Sequence, residues 1–142
     1  MPGVSENPNY YFSEKDRKAS FKSWPFTERH ECSITKMAEA GFYWCGTMQE
    51  NDAAACFLCG KVLDGWESTD DPWSEHKKHS PQCAFVKFGR PEDDLTVGEQ
   101  LDLLDLYVQK VFDKKLDEAM KVLTELGNKA RNAIQTKLKS ND

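Results

Sequence analysis

The apolar positions of this chain change their rhythm near residue 90. Beyond Thr96, Leu101, Leu104, Val108, Phe112, Leu116, Ala119, Leu123, Leu126, Ala130, Ile134 and Leu138 recur every three or four residues with charged residues between them. That period belongs to an α-helix with one slowly drifting apolar stripe. Thr96 to Glu99 reads T-x-x-E, a capping box that starts the helix. Asp117 with Lys121 and Glu125 with Lys129 are i,i+4 pairs in the favourable order. Continued to Lys139, such a helix would be roughly 65 Å long at 1.5 Å per residue. A small domain has a radius of gyration of about 12 Å, so the distal stripe is expected to need another chain. Leu101, Leu104, Val108, Phe112, Leu123, Leu126 and Ile134 are its candidate contacts. Gly127-Asn128 is the weak point, costing about 1 kcal/mol relative to alanine. A kink or end there, or a helix folded back on the domain, stays open.

Before residue 90 the pattern predicts short elements instead. Ser13 can cap a helix running toward Phe21, stopped at Trp24-Pro25 because proline disfavours helix in the residue before it. Ser33 or Thr35 can cap a second helix containing Met37 and Ala38, with Gly41 as a left-handed stop. Phe42 to Trp44, Ala54 to Leu58 and Lys61 to Trp66 read as three short strands. Asp71-Pro72 opens a further helix, an acidic cap followed by proline at the first helical position, and that helix carries His76 and His79. Phe21, Trp24, Phe26, Phe42, Phe57 and Phe85 are the candidate core aromatics. The change of rhythm falls in the turn-rich FGRPEDD, Phe88 to Asp94. The chain thus divides into an N-terminal extension (1–12), a compact domain (13–88), a linker (89–95) and a long helix (96–142).

Composition narrows the function classes. A formal charge of −5 argues against broad charge-driven binding to nucleic acid or acidic membranes. No apolar run is long enough to cross a bilayer, and MPGVSENPNYYF does not read as a signal peptide. Five cysteines in that setting point to a reducing compartment, cytosol or nucleus, where clustered cysteines bind metal more often than they pair.

Four candidate ligands have the spacing C-x2-C-x16-H-x6-C: Cys56, Cys59, His76 and Cys83. Zinc favours thiolate and imidazole in a tetrahedron, and two cysteines two residues apart can bite one ion from a tight turn. Gly60 directly after Cys59 suits that turn. Four protein ligands leave no position for a reactive water, so the expected Zn2+ is structural and the chain is expected to be no enzyme. A redox CxxC would need a βαβ context and would leave His76 and Cys83 unexplained. Cys32 and Cys45 are expected as free, partly buried thiols. A DNA-reading finger would want two late histidines and a basic helix, which are absent here. A domain this small commonly needs a staple, and the metal supplies one.

Arg17, Ser20-Phe21, Trp24-Pro25, Ala40-Gly41-Phe42-Tyr43, Gly46, Cys56-Phe57-Leu58-Cys59-Gly60, Gly65-Trp66, Asp70-Asp71-Pro72, Glu75-His76, His79 and Cys83 follow one known pattern. Over residues 13 to 88 the chain resembles the baculoviral inhibitor-of-apoptosis repeat (BIR) family. A single repeat, then a long charged helix and no RING finger, resembles one branch of it. The resemblance implies a small α+β zinc-binding domain, a short three-stranded antiparallel sheet with flanking helices, followed by one long C-terminal helix.

It also implies a function. Members of that branch read free protein N-termini along the third strand, so Lys61, Leu63, Asp64, Trp66, Asp70, Glu75 and His79 become candidate peptide- and phosphate-binding residues. Asp64, Asp70 and Glu75 would take the α-ammonium through charge-assisted hydrogen bonds. Trp66 would flank the small first side chain, and Lys61 and His79 would meet a phosphate. The implied ligands are the phosphorylated N-terminal tail of histone H3 and apoptosis antagonists that begin with alanine. The implied helix partners are a borealin-like helix and an inner-centromere-protein helix, which bring Aurora B kinase indirectly. This is the chromosomal passenger complex, acting at centromere, kinetochore and spindle midzone in mitosis and cytokinesis, together with an inhibitor-of-apoptosis role. Direct caspase inhibition is the alternative. A ubiquitin ligase would need a second zinc cluster, which the remaining cysteines cannot build. Two departures stand out. Ser33-Ile34 replaces a threonine-proline phosphorylation site, and Glu92 and Gln100 replace apolar residues that favour homodimers, while Leu95 and Val97 keep part of the linker's apolar pattern.

Overall fold

The computed structural model describes residues 10–141. Most of the proposed N-terminal extension, residues 1–9, and the last residue of the proposed helix segment therefore lie outside the described residues. The elements in order are α1 (Glu14–Ser20), α2 (Ile34–Glu39), β1 (Phe42–Trp44), β2 (Ala54–Cys56), β3 (Val62–Leu63), α3 (Pro72–His79), α4 (Ala84–Phe88), a 3-10 turn (Glu92–Asp94) and α5 (Val97–Ser140). Two compact units emerge, Met1–Tyr107 and Val108–Asp142.

Local chemistry sets most boundaries. Ser13 caps α1 by accepting from the Asp16 amide, and Ser33, rather than Thr35, caps α2 by accepting from the Lys36 amide. Ser33 is buried in this role. Asp71 caps α3 with Pro72 behind it. Gly41 follows α2 at φ +95°, and a Cβ there would lie 2.9 Å from Phe85 Cδ1. Gly41→Ala is expected to lower stability by about 2 kcal/mol or more, from left-handed strain plus the clash with Phe85. Urea unfolding followed by tryptophan fluorescence measures it, and an unchanged midpoint would remove the clash from the account.

The sheet is antiparallel in the order β1-β2-β3, with Phe42 opposite Cys56 and Ala54 opposite Leu63. The second and third strands are shorter than the apolar runs predict. Phe57 to Gly60 leave the sheet to make the turn that carries the cysteine pair, with Gly60 at φ +75°. Gly65, at φ +69°, turns the chain away after Leu63, and its amide donates to Asp52 Oδ2 at 2.9 Å. α4 has no counterpart in the sequence reading, because five residues are too few to display a period.

The core is rich in aromatic side chains. Phe42 and Trp24 meet Trp66 edge-on, while Phe57 meets Phe85 in the same way. Phe21, Trp24, Phe42, Phe57 and Phe85 are buried as expected, and Phe26 is half-buried against Trp24. Cys32 is wholly buried, its thiol donating to the Glu67 carbonyl at 3.2 Å and pushed up to about 11 by burial, whereas Cys45 is exposed.

The T-x-x-E box forms at the start of α5: the Thr96 amide donates to Glu99 Oε2 at 2.9 Å and the Glu99 amide donates to Thr96 Oγ1 at 3.1 Å. α5 then runs through Gly127 without interruption. Its first turns do more than the stripe predicts. Leu103 is 4% exposed, and Tyr107 packs on Phe12 and Phe57 at ring-centroid distances of 5.3 and 6.0 Å. Leu95 is buried as well. These residues therefore belong to the core of the first unit. No helix among the described residues is long and apolar enough to cross a membrane.

Candidate metal centre and peptide groove

Cys56 ends β2, Cys59 sits in the following turn, His76 projects from α3 and Cys83 precedes α4. Their ligand atoms all lie within 4.8 Å of one another, and Cys56, His76 and Cys83 are buried. The turn is organised around sulfur. The amides of Leu58 and Cys59 both donate to Cys56 Sγ at 3.4 Å, and the Gly60 amide donates to the Cys56 carbonyl at 3.0 Å. His76 Nδ1 donates to the Ala40 carbonyl at 2.8 Å, which leaves Nε2 as the ring atom on the side of the sulfurs. That hydrogen bond is the outer support which metal-binding histidines commonly have.

The distances discriminate between uses of the cluster. Cys56 Sγ and Cys83 Sγ are 3.9 Å apart, and Cys59 Sγ is 3.7 Å from His76 Nε2. A tetrahedron with Zn–S near 2.3 Å and Zn–N near 2.05 Å has edges of about 3.8 Å between sulfurs and about 3.6 Å between sulfur and nitrogen. A disulfide needs about 2.05 Å. The arrangement is thus a Cys3His cluster that could hold a metal ion, and its geometry is consistent with zinc. Its electrostatics agree. Burial pushes the Cys56 thiol up, while hydrogen bonds from Cys56 and Cys83 pull Cys59 down toward thiolate. Burial pulls His76 down, but its contacts with Cys59 and Cys83 outweigh this and raise it to about 9. A cation bound by the four groups would displace the protons that they hold.

Beside α3 a cleft of about 510 Å³ opens along β3. It gathers all seven residues proposed for peptide and phosphate: Lys61, Leu63, Asp64, Trp66, Asp70, Glu75 and His79. Val62, Gly65, Glu67 and Lys78 line it as well. β3 ends the strand order, so the side away from β2 has no neighbouring strand among the described residues, and Val62 is 54% exposed. Glu75 Oε2 is 3.4 Å from His79 Nε2 one helical turn away. Asp70 Oδ2 accepts from the Glu67 amide at 2.8 Å, fixing the loop. Trp66 serves two surfaces: it is buried against Phe42 and Trp24, yet lines the cleft, and its indole donates to the Leu63 carbonyl at 3.2 Å.

Along the second unit the proposed helix contacts Val108, Phe112, Leu123, Leu126 and Ile134 are each at least 57% exposed. In the first unit Leu101 and Leu104 are exposed too, and the buried face at Leu103 is a different one. Glu92 and Gln100 are engaged within the chain. Glu92 Oε2 accepts from the Glu14 amide at 2.8 Å, and Gln100 Nε2 donates to the carbonyls of Glu92 and Leu95.

A family model described as the Inhibitor of Apoptosis domain, BIR, matches residues 17–87. The mouse protein named Baculoviral IAP repeat-containing protein 5 is 42% identical over 119 residues, covering 84% of this chain and 85% of the relative. The rat protein of the same name is 41% identical over 136 residues, covering 95% and 96%. The Xenopus laevis protein named Baculoviral IAP repeat-containing protein 5.2-B is 40% identical over 126 residues, covering 89% and 78%.

Proposed function

Since this chain belongs to the inhibitor-of-apoptosis family, through a BIR domain of the survivin type, we propose that it is a non-enzymatic adaptor which reads a phosphorylated protein N-terminus. Its Cys3His cluster holds one structural zinc ion, with Cys56, Cys59, His76 and Cys83 as the ligands. The ligand we favour is the histone H3 tail phosphorylated at its third residue, and the apolar face of α5 carries the chain into the chromosomal passenger complex. There a borealin-like helix and an inner-centromere-protein helix cover the stripe, and Aurora B kinase follows indirectly. The expected sites are cytoplasm and nucleus, then centromere, kinetochore and spindle midzone in mitosis.

The observation that carries the peptide reading is the mixture of charges in the cleft. Asp64, Asp70 and Glu75 surround the same space as Lys61, Lys78 and His79, beside an edge strand able to accept an extended chain. Carboxylates suit an α-ammonium, and the cations suit a phosphate a few residues later. An extended peptide spans about 3.3 Å per residue, so both can be met in one groove. Apoptosis antagonists that start with alanine would use the ammonium subsite alone. Two observations favour a chain regulated otherwise than at Ser33. It lacks the following proline, and its hydroxyl is buried as a helix cap. Glu92 and Gln100 serve the linker itself, which supports a monomer over a linker-mediated homodimer. Direct caspase inhibition is the second reading. It rests on family membership alone.

Lys61→Ala and His79→Ala are each expected to weaken the phosphorylated tail about tenfold, the worth of one charge-assisted contact. The unphosphorylated tail should lose little. Asp70→Ala should weaken both, and acetylating the peptide's amine should abolish both. Calorimetry with the two peptides decides, since equal wild-type affinities would remove phosphate reading.

A further inference from the structure

Arg17 is a charged side chain only 1% exposed. Its Nε donates to the Ala38 carbonyl at 2.9 Å, and Nη1 donates to the carbonyls of Tyr11 and Phe12 at 3.1 and 2.7 Å. The Phe57 and Phe85 rings cover the guanidinium at 4.5 and 5.6 Å. One atom is left over. Nη2 is buried and has no hydrogen-bond partner among the protein groups of the described residues. A buried donor on a cation rarely stays unpaired, because it forfeits solvation without recovering a bond. Burial also pulls Arg17 down to about 10, with the charge of Glu92 the leading influence in the opposite direction.

Beside Arg17 lies a cavity of about 10 Å³, lined by Phe57, Phe85, Leu103, Glu92 and Gln100 among others. About that much room accommodates one water, which also needs two to four polar partners. The acceptors are present. Glu92 uses Oε2 for the Glu14 amide and offers Oε1. Gln100 uses Nε2 for the carbonyls of Glu92 and Leu95 and offers Oε1. An apolar filler would leave Nη2 orphaned.

We infer that one ordered water occupies this cavity, accepting from Arg17 Nη2 and donating to the Glu92 carboxylate and the Gln100 amide oxygen. It joins three segments distant in sequence: α1, the 3-10 turn of the linker and the first turns of α5. The linker is thereby fastened to the zinc-bearing domain through a hydrated buried cation, a role independent of the peptide groove. This explains why polar Glu92 and Gln100 stand in an otherwise apolar junction.

The test is a crystal structure of the full chain at a resolution that shows ordered water. The expected result is a single peak within hydrogen-bond distance of Arg17 Nη2 and of Glu92 or Gln100. An empty cavity, a Glu92 carboxylate bonded directly to Nη2, or density for a heavier ion would each overturn the inference. Gln100→Leu gives a second check on a variant that keeps the charge of Glu92. A lost or clearly weakened peak fits the water. An unchanged peak with no contact to Glu92 refutes the proposed partners.

Discussion

Removing zinc with a chelator is expected to unfold the BIR domain completely while much of the α5 signal persists. The reason is a comparison of magnitudes. Structural zinc contributes roughly 10–16 kcal/mol of apparent binding energy at neutral pH, whereas whole domains are stable by only about 5–15 kcal/mol. Three segments of the chain converge on the Cys3His cluster, so without a metal the turn after β2, α3 and the start of α4 would lose their common anchor. Buried thiol Cys56 and imidazole His76 would then face each other without a cation. The two units can be watched separately. All four tryptophans, Trp24, Trp44, Trp66 and Trp73, lie in the domain, so near-ultraviolet circular dichroism and fluorescence report on it alone. Far-ultraviolet ellipticity is dominated by the 44 residues of α5. Cys56→Ser and His76→Ala should reproduce the effect of the chelator, and acid should mimic it because protons compete for the ligands. Metal analysis should find one zinc per chain. A metal-free chain that keeps a cooperative tryptophan transition would sink the structural role.

What the sequence disclosed, and what it concealed, follows from how far each feature reaches. The cysteine pair, the Asp71-Pro72 start and the T-x-x-E box are local, and each is complete within about four residues. They were legible. Family resemblance also named seven residues that the fold gathers in one cleft beside β3, and their binding role is a proposal. Glu67 and Lys78 were not among the seven and join them only through the fold. The strands came out short because the turn from Phe57 to Gly60 and the φ-positive Gly65 within the third run take the chain out of the sheet. Arg17 concealed most. An arginine on a short polar helix reads as solvated, and only the layering of Ala38, Phe57 and Phe85 over it makes it a buried cation. The start of α5 was misleading in a different way. Its apolar stripe from Leu101 to Val108 faces out, while Leu103 and Tyr107, off that stripe, complete the domain core.

That second face determines how the adaptor reading must be tested. A helix that leaves Phe112, Leu123, Leu126 and Ile134 about 60% or more exposed carries a patch of the kind that marks an interaction site. Burying one such side chain is worth about 1.5–3 kcal/mol, so several together could hold a helix bundle even after ordering costs. Truncation must come after Tyr107, because a shorter chain would also lose Leu103 and Tyr107 and so damage the domain. The chain ended at Tyr107, and separately the double variant Leu104→Glu, Val108→Glu, should keep zinc, the tryptophan transition and phosphopeptide affinity. Both should lose capture of the borealin-like and inner-centromere-protein helices by at least a hundredfold, the worth of two buried aliphatic side chains at about 1.5 kcal/mol each. Leu103→Glu should do the opposite and unfold the domain, because its position is buried. Pull-down with purified partner helices, alongside calorimetry of the groove, separates the two effects. Undiminished capture by the chain ended at Tyr107 would show that α5 beyond it is not the docking element, and the adaptor mechanism would fall while the zinc domain and its groove stood.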